Sequence, residues 1–181
     1  QYICDNVKIK PIEADTIYAG IVIDTNSFSN KAGARTFEAA AFIRRNGADI
    51  IRVRKLLRSD MTEYKAKAEA VRHAEVYRDC FAISICPSAG LQSPTIVGAQ
   101  AANELLNISG IKASIVFTLY NDEIYISARS IDEVNVQLIM ERLGGGGHMT
   151  IAGAQLKGMD IEEAIDLVKK TLDEMIQEGA I

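Results

Sequence analysis

Tryptophan is absent from this sequence of 181 residues, and aromatic residues make up only 6% of it. Any core it builds must therefore be aliphatic. Cysteine occurs three times, at Cys4, Cys80 and Cys86. That odd count, without metal-finger spacing, argues against a disulfide scaffold and suits a reducing, cytoplasmic setting, with the three thiols read as core residues. Histidine occurs twice, at His73 and His148, and no Ser/His/Asp or Cys/His arrangement stands out. No apolar run approaches the ~20 residues of a membrane helix and no signal peptide precedes the first element, so no membrane contact is expected of this segment. Gly and Pro together fill only 16 positions, which excludes collagen-like and low-complexity classes.

What is present is 48% hydrophobic and 24% charged, the balance of a globular protein with one comfortable domain or two small ones. The net charge of −4 argues against a general nucleic-acid coat. The charge is uneven: residues 1–58 carry 10 basic and 6 acidic side chains, residues 59–181 carry 10 basic and 18 acidic. Either two helical surfaces are solvated differently, or a basic wall faces an anionic ligand.

Helical periodicity predicts a buried helix from Pro11 to Val22, a polar loop from Asp24 to Gly33, a second helix from Arg35 to Arg45 stopped by Asn46-Gly47, and a short one from Asp49 to Leu57. Ser59-Asp60 caps an Ala/Glu/Lys-rich connecting helix running to about Tyr77. Beyond it strands and helices alternate. Strands are expected over Phe81–Ile85, Ile111–Leu119 and Glu123–Arg129, the last two joined by an Asn121-Asp122 turn. Helices are expected over 94–106, over 134–143 (stopped by four glycines) and over 161–177. The fold class is α/β in two lobes with a cleft between them: 1–58 mostly helical, 59–78 the connecting helix, 79–181 an α/β lobe.

Three segments carry candidate chemistry. Gly144-Gly-Gly-Gly-His148 follows the helix that carries Asn135; four residues without Cβ let backbone N–H groups approach a phosphate, and His148 can donate to one or stack on a base. The alternative is a helix stop with a flexible turn. Ser127-Ala-Arg-Ser130 ends a strand, where the Arg129 fork suits phosphate and two hydroxyls flank it, unless Arg129 is simply a solvated strand end. Asp24 stands at a helix-to-loop junction; one carboxylate cannot build a metal site, so by itself it reads as a cap or turn residue.

Taken together, these residues resemble a known family. The stretch Gly20-Ile-Val-Ile-Asp24-Thr-Asn-Ser-Phe28, then Gly33-Ala-Arg-Thr-Phe37, Ser127-Ala-Arg-Ser130, Glu133-Val-Asn-Val136 and Gly145-Gly-Gly-His148 through Ala152-Gly153 are similar to the DHH/DHHA1 phosphoesterase superfamily, most narrowly to GdpP-type cyclic-di-AMP phosphodiesterases. The resemblance implies a DHH lobe holding two manganese ions, a DHHA1 lobe binding nucleotide, and hydrolysis of cyclic-di-AMP to linear pApA. It implies Asp24 as a metal ligand and catalytic residue. It further implies Ser127, Arg129, Ser130, Asn135, Gly145, Gly146, Gly147 and His148 as substrate contacts, with a cyclic dinucleotide or short oligonucleotide as partner and a homodimer left open.

The family's earlier motifs, a His followed by Asp, an Asp-x-Asp and the Asp-His-His, have no counterpart here, and Ile151 stands where a small Ala is common. The expectation is a chain that begins partway through the DHH lobe, keeps one metal ligand and is inactive by itself, from a parent that is anchored to a membrane or not. Two alternatives remain: a nanoRNase or pAp phosphatase of the same superfamily, and a non-catalytic DHHA1 module that binds nucleotide or RNA.

Overall fold

The structure is a computed structural model that describes residues 8–29 and 32–181. Cys4, one of the expected core thiols, and part of the polar loop after Asp24 lie outside the described residues. The chain divides into two compact units, one ending at Ser59 and the other starting at Asp60.

The first unit holds α1 (Pro11–Asp24), α2 (Ala34–Arg45) and α3 (Ile50–Leu56). Pro11 opens α1, where its missing N–H has no helical partner to lose, and Glu13 reaches back to the Lys10 N–H at 2.8 Å. The expectation of a buried helix holds for one face only: Ala14, Tyr18 and Ala19 pack against Ala40, Ile43 and Val53, while Ile12 and Ile23 are each 66% exposed. A single apolar stripe is all that α2 and α3 cover.

Asp15 latches α1 to α3. Its carboxylate is buried, accepts the Asp49 N–H at 2.7 Å and pairs with Arg52, while Asp49 caps α3 by accepting from the N–H groups of Ile51 and Arg52. The hydrogen bond from Arg52 first, then that from the Asp49 backbone, holds the Asp15 carboxyl below the usual carboxylate range. A depressed folded-state value stabilises the fold above the unfolded value near pH 4, and that contribution is lost as pH falls through the folded value. Acid titration followed by helical circular dichroism is therefore expected to show a loss below about pH 4 that Asp15→Asn shrinks.

The second unit holds a six-stranded sheet in the order β1-β2-β3-β4-β6-β5: β1 (Glu75–Tyr77), β2 (Phe81–Ile85), β3 (Ala113–Tyr120), β4 (Glu123–Ser130), β5 (Gly146–His148) and β6 (Ile151–Lys157). Only β2 and β3 run parallel, joined through α5 (Pro94–Leu105); the other neighbours are antiparallel. The connecting helix is α4 (Met61–Arg72), capped by Asp60, and it packs on α5 through Ala66 and Ala70. It ends five residues before the expected Tyr77. Val76 and Tyr77 are strand formers, and left-handed Arg78 and Asp79 (φ 50° and 62°) turn the chain back so that β1 pairs with β2.

Alternation along the strands builds two cores. Ile115, Phe117, Ile124, Ile126 and Ala128 meet α6 (Val136–Arg142) and α7 (Ile161–Gln177) on one face, while Val116 and Ala82 meet α4 and α5 on the other. Ser114 donates its hydroxyl to the Ala102 carbonyl at 2.7 Å, tying β3 to α5. Gly98 lets α5 approach so closely that a Cβ there would come within 2.2 Å of Thr118 Oγ1. Cys86 is buried in this second core and Cys80 partly buried, both as free thiols, and burial pushes Cys86 up to about 11. Among the described residues no helix is long and apolar enough to cross a membrane.

Candidate functional site

Alternation on β4 sorts the segment from Glu123 to Ser130 by face. Ile124, Ile126, Ala128 and Ser130 turn into the core under α6 and α7, whereas Glu123, Tyr125, Ser127 and Arg129 are partly exposed on the other face. The expectation that hydroxyls flank Arg129 on both sides is thus corrected for Ser130. Its side chain is only 3% exposed and donates to the Met149 carbonyl, a strand-end tie rather than a ligand contact.

Register carries that open face outward across β6 and β5. Ser127 pairs with Gly153, which pairs with Gly146; Arg129 pairs with Ile151, which pairs with His148. At ~4.8 Å per strand, Arg129 and His148 stand ~10 Å apart at the two ends of one row. Both are reachable from solvent, His148 exposed and Arg129 partly so. Four of the sequence-predicted residues, Ser127, Arg129, Gly146 and His148, are therefore brought together.

The glycine tract differs from the expected loop. Gly144, left-handed at φ 78°, stops α6, with its N–H on Glu141 O at 3.1 Å and the Gly145 N–H on Met140 O at 2.8 Å, the paired bonds that close a helix C-terminus. The tract then becomes edge strand β5 against β6. A Cβ on Gly145 would meet Gly153 O at 2.2 Å, and one on Gly147 would meet Ile151 O at 2.4 Å. These two glycines serve close strand packing, and the Gly145 donor is spent inside the protein, which corrects the reading of the whole tract as a phosphate cradle. Gly146 has open space beside it. Asn135 is also accounted for locally: its Oδ1 caps α6 by accepting the Gln137 N–H at 3.1 Å.

Arg129 is the chemically unusual member. Its Nη1 donates to the Ala128 carbonyl at 2.9 Å and more loosely to Ala152 O, and burial alone holds the guanidinium below its ordinary basicity. Among the described residues no carboxylate pairs with it. A partly desolvated cation without a counter-charge is costly unless an anion completes it.

Beside this row lies a depression of about 570 Å³ whose floor is Ser127, Gly145 and Gly153 and whose far wall is Tyr125, Gln155 and Lys157, with Thr95 of α5 at the rim. Sequence reasoning missed that far wall. The polar half of the alternation Glu123, Tyr125, Ser127, Arg129 was the available signal, but the pairing of β6 with β4 supplies Gln155 and Lys157 from 30 residues away. Lys157 pairs with Glu123 and holds its carboxyl below the usual range, while burial and the Glu123 charge raise Tyr125.

Asp24 belongs to the other unit. It is the last residue of α1 and exposed, followed by three consecutive left-handed residues, Asn26, Ser27 and Phe28. Thr25 braces that turn by donating to Ile21 O and accepting the Phe28 N–H, and the Phe28 ring stacks on Phe37 with centroids 5.4 Å apart. Among the described residues no group of three or more His, Cys, Asp or Glu is placed to hold a metal ion. The donors among the described residues therefore do not fit a two-manganese centre; Asp24 offers a single carboxylate.

A model of the DHHA1 domain matches residues 88–178, half of the chain and all of the open face. The chain belongs to the DHHA1 domain family. Cyclic-di-AMP phosphodiesterase GdpP of Bacillus subtilis is 40% identical over 181 residues, covering 99% of this chain and 28% of that protein. Cyclic-di-AMP phosphodiesterase PdeA of Listeria monocytogenes is 42% identical over 165 residues, covering 91% of this chain and 25% of that one. The chain thus spans about a quarter of the length of these relatives. An exopolyphosphatase-related protein from Bacteroides fragilis shares the fold, with a TM-score of 0.81 at 20% identity over 92% of this chain and 51% of that one. The Ser127–Arg129 strand end and the Gly146–His148 edge both fall within the matched residues 88–178, in one sheet.

Proposed function

We propose that the DHHA1 unit, residues 60–181, holds a cyclic adenine dinucleotide on its open sheet face as the substrate-binding part of a phosphodiesterase that opens the ring to linear pApA. The observation that carries this reading is Arg129, a half-buried guanidinium with no carboxylate partner among the described residues, aligned with His148 across the glycine edge. Its planar fork suits a phosphate, with Ser127 able to donate to the same group and His148 to a second one ~10 Å away. Gly146 and Gly153 leave a low floor between them on which a sugar or base can lie. The names of the two bacterial relatives support cyclic-di-AMP as the ligand. The 18 acidic against 10 basic side chains of residues 59–181 disfavour an RNA backbone as the main partner.

These residues bind and orient; none activates water. The manganese centre implied by the resemblance needs donors beyond Asp24, so the 181-residue chain binds without turnover. Cyclic-di-AMP incubated with the chain and Mn²⁺, and followed by chromatography, is expected to stay intact while remaining bound. Conversion to pApA at a rate comparable to that of a full-length phosphodiesterase would contradict this. Failure to bind in the same samples would remove the reading altogether.

A further inference from the structure

The far wall of the depression contains a hydrogen-bond arrangement whose direction is set by charge. Glu123 is a carboxylate and only accepts. It receives the Tyr125 hydroxyl at 3.2 Å, the Lys157 ammonium, and the Gln155 Nε2 group, which also lies 3.3 Å from the Tyr125 oxygen. The Gln155 amide therefore cannot turn over: with its NH₂ held on Glu123, its carbonyl oxygen must face away from the carboxylate. Gln155 and Tyr125 both line the depression.

We infer that Gln155 reads the nucleobase, presenting a fixed acceptor that selects a base with an exocyclic amino group, adenine, over one with a carbonyl at the same position, guanine. The inference rests on the proposed dinucleotide reading and deepens it. Tyr125 is the register partner of Gln155, and it stands four residues along β4 from Arg129. At ~3.3 Å per residue their Cα positions are ~13 Å apart, a separation to be bridged by a nucleotide whose phosphate sits on the Arg129 guanidinium and whose base reaches toward Gln155. The Tyr125 ring offers the base an apolar side. An adenine N6 amino group donates to the Gln155 oxygen, whereas guanine O6 would set two acceptors against each other and leave both without a donor.

The test is the ratio of dissociation constants for cyclic-di-GMP and cyclic-di-AMP on the full 181-residue chain, measured by calorimetry. The expected result is a preference for cyclic-di-AMP that falls about tenfold in Gln155→Met, which keeps side-chain length without the acceptor. Glu123→Gln is expected to lower the ratio too, because a neutral amide at 123 allows the Gln155 group to reverse. A residue that merely packs would not respond to that second change. If either ring binds the parent chain and both variants keep the parent ratio, Gln155 does not read the base, while the phosphate site stands. If neither ring binds the parent chain, the dinucleotide reading fails and this inference with it.

Discussion

Replacing Arg129 by alanine is expected to weaken cyclic-di-AMP binding roughly 10- to 150-fold, the equivalent of about 1.5–3 kcal/mol for a hydrogen bond to a charged group. The same substitution is not expected to weaken the fold. Arg129 has only carbonyl contacts, to Ala128 and Ala152, and its charge is partly desolvated without a carboxylate among the described residues. Removing it relieves that desolvation, so the melting temperature should hold or rise while affinity falls, as happens where function is kept at a cost to stability. Arg129→Lys keeps the charge but loses the fork and should fall between the two. Calorimetric titration and thermal melting of the same three proteins check both halves. A lower melting temperature with unchanged affinity would make Arg129 a structural residue.

Replacing Gly147 by valine should detach the glycine edge from β6. A Cβ there meets Ile151 O at 2.4 Å and Ala152 Cα at 2.5 Å, both backbone atoms that cannot rotate aside, and the residue sits at φ 150°. Overpacking of this kind costs ~1–3 kcal/mol, and the backbone conformation adds ~1 kcal/mol or more for a side chain other than glycine. Because β5 is a three-residue edge strand, its local stability is small and the cost should appear as opening of the edge rather than global unfolding. Amide hydrogen exchange is expected to accelerate over residues 144–153 while the β2–β3 centre stays protected, and dinucleotide affinity should drop as His148 leaves its row. Gly146→Ala, with open space at its Cβ, is the matched control for the pairing of β5 and should change the exchange of residues 144–153 little. Equal effects from the two substitutions would mean that the tract is not held as a strand.

The helices were legible in the sequence because their signals are local. Asp49 and Asp60 act as caps, Pro11 and Pro94 stand at first-turn positions, and the stripe along 161–177 emerges as α7 within its expected bounds. The Asn121-Asp122 turn also formed as expected, with both residues left-handed. The glycine tract illustrates what local reading misses. Four glycines announce a stop and a flexible loop, and nothing near them shows that β6 will pair so closely that two of them have no room for a methyl group. β6 itself, Ile151–Lys157, alternates weakly because its outward residues include Gly153 and its inward ones are mostly alanine.

The site was half legible for the same reason. Ser127 and Arg129 share a face by simple period two, and that same rule removes Ser130, two adjacent positions never facing the same way on a strand. Asn135 was a ligand residue by the family resemblance, yet the first turn of α6 leaves donors that need its oxygen. Tyr125 and Gln155 meet only through the β4–β6 register, a pairing that sequence spacing does not display. Asp24 was expected to open the loop after a helix ending at Val22, whereas α1 runs on to include it, and the number of donors around it depends on residues distant in the chain.

The open face of β4, β6 and β5 is the proposed seat of a cyclic adenine dinucleotide. Its most direct test is a titration of ¹⁵N-labelled chain with cyclic-di-AMP in the absence of divalent metal, followed by amide shifts. Saturable shifts are expected, centred on Ser127, Arg129, Gly146, His148, Gly153 and Gln155, with residues of α7 and of the first unit's α2 unmoved. Shifts centred elsewhere, or none at millimolar ligand, would contradict it.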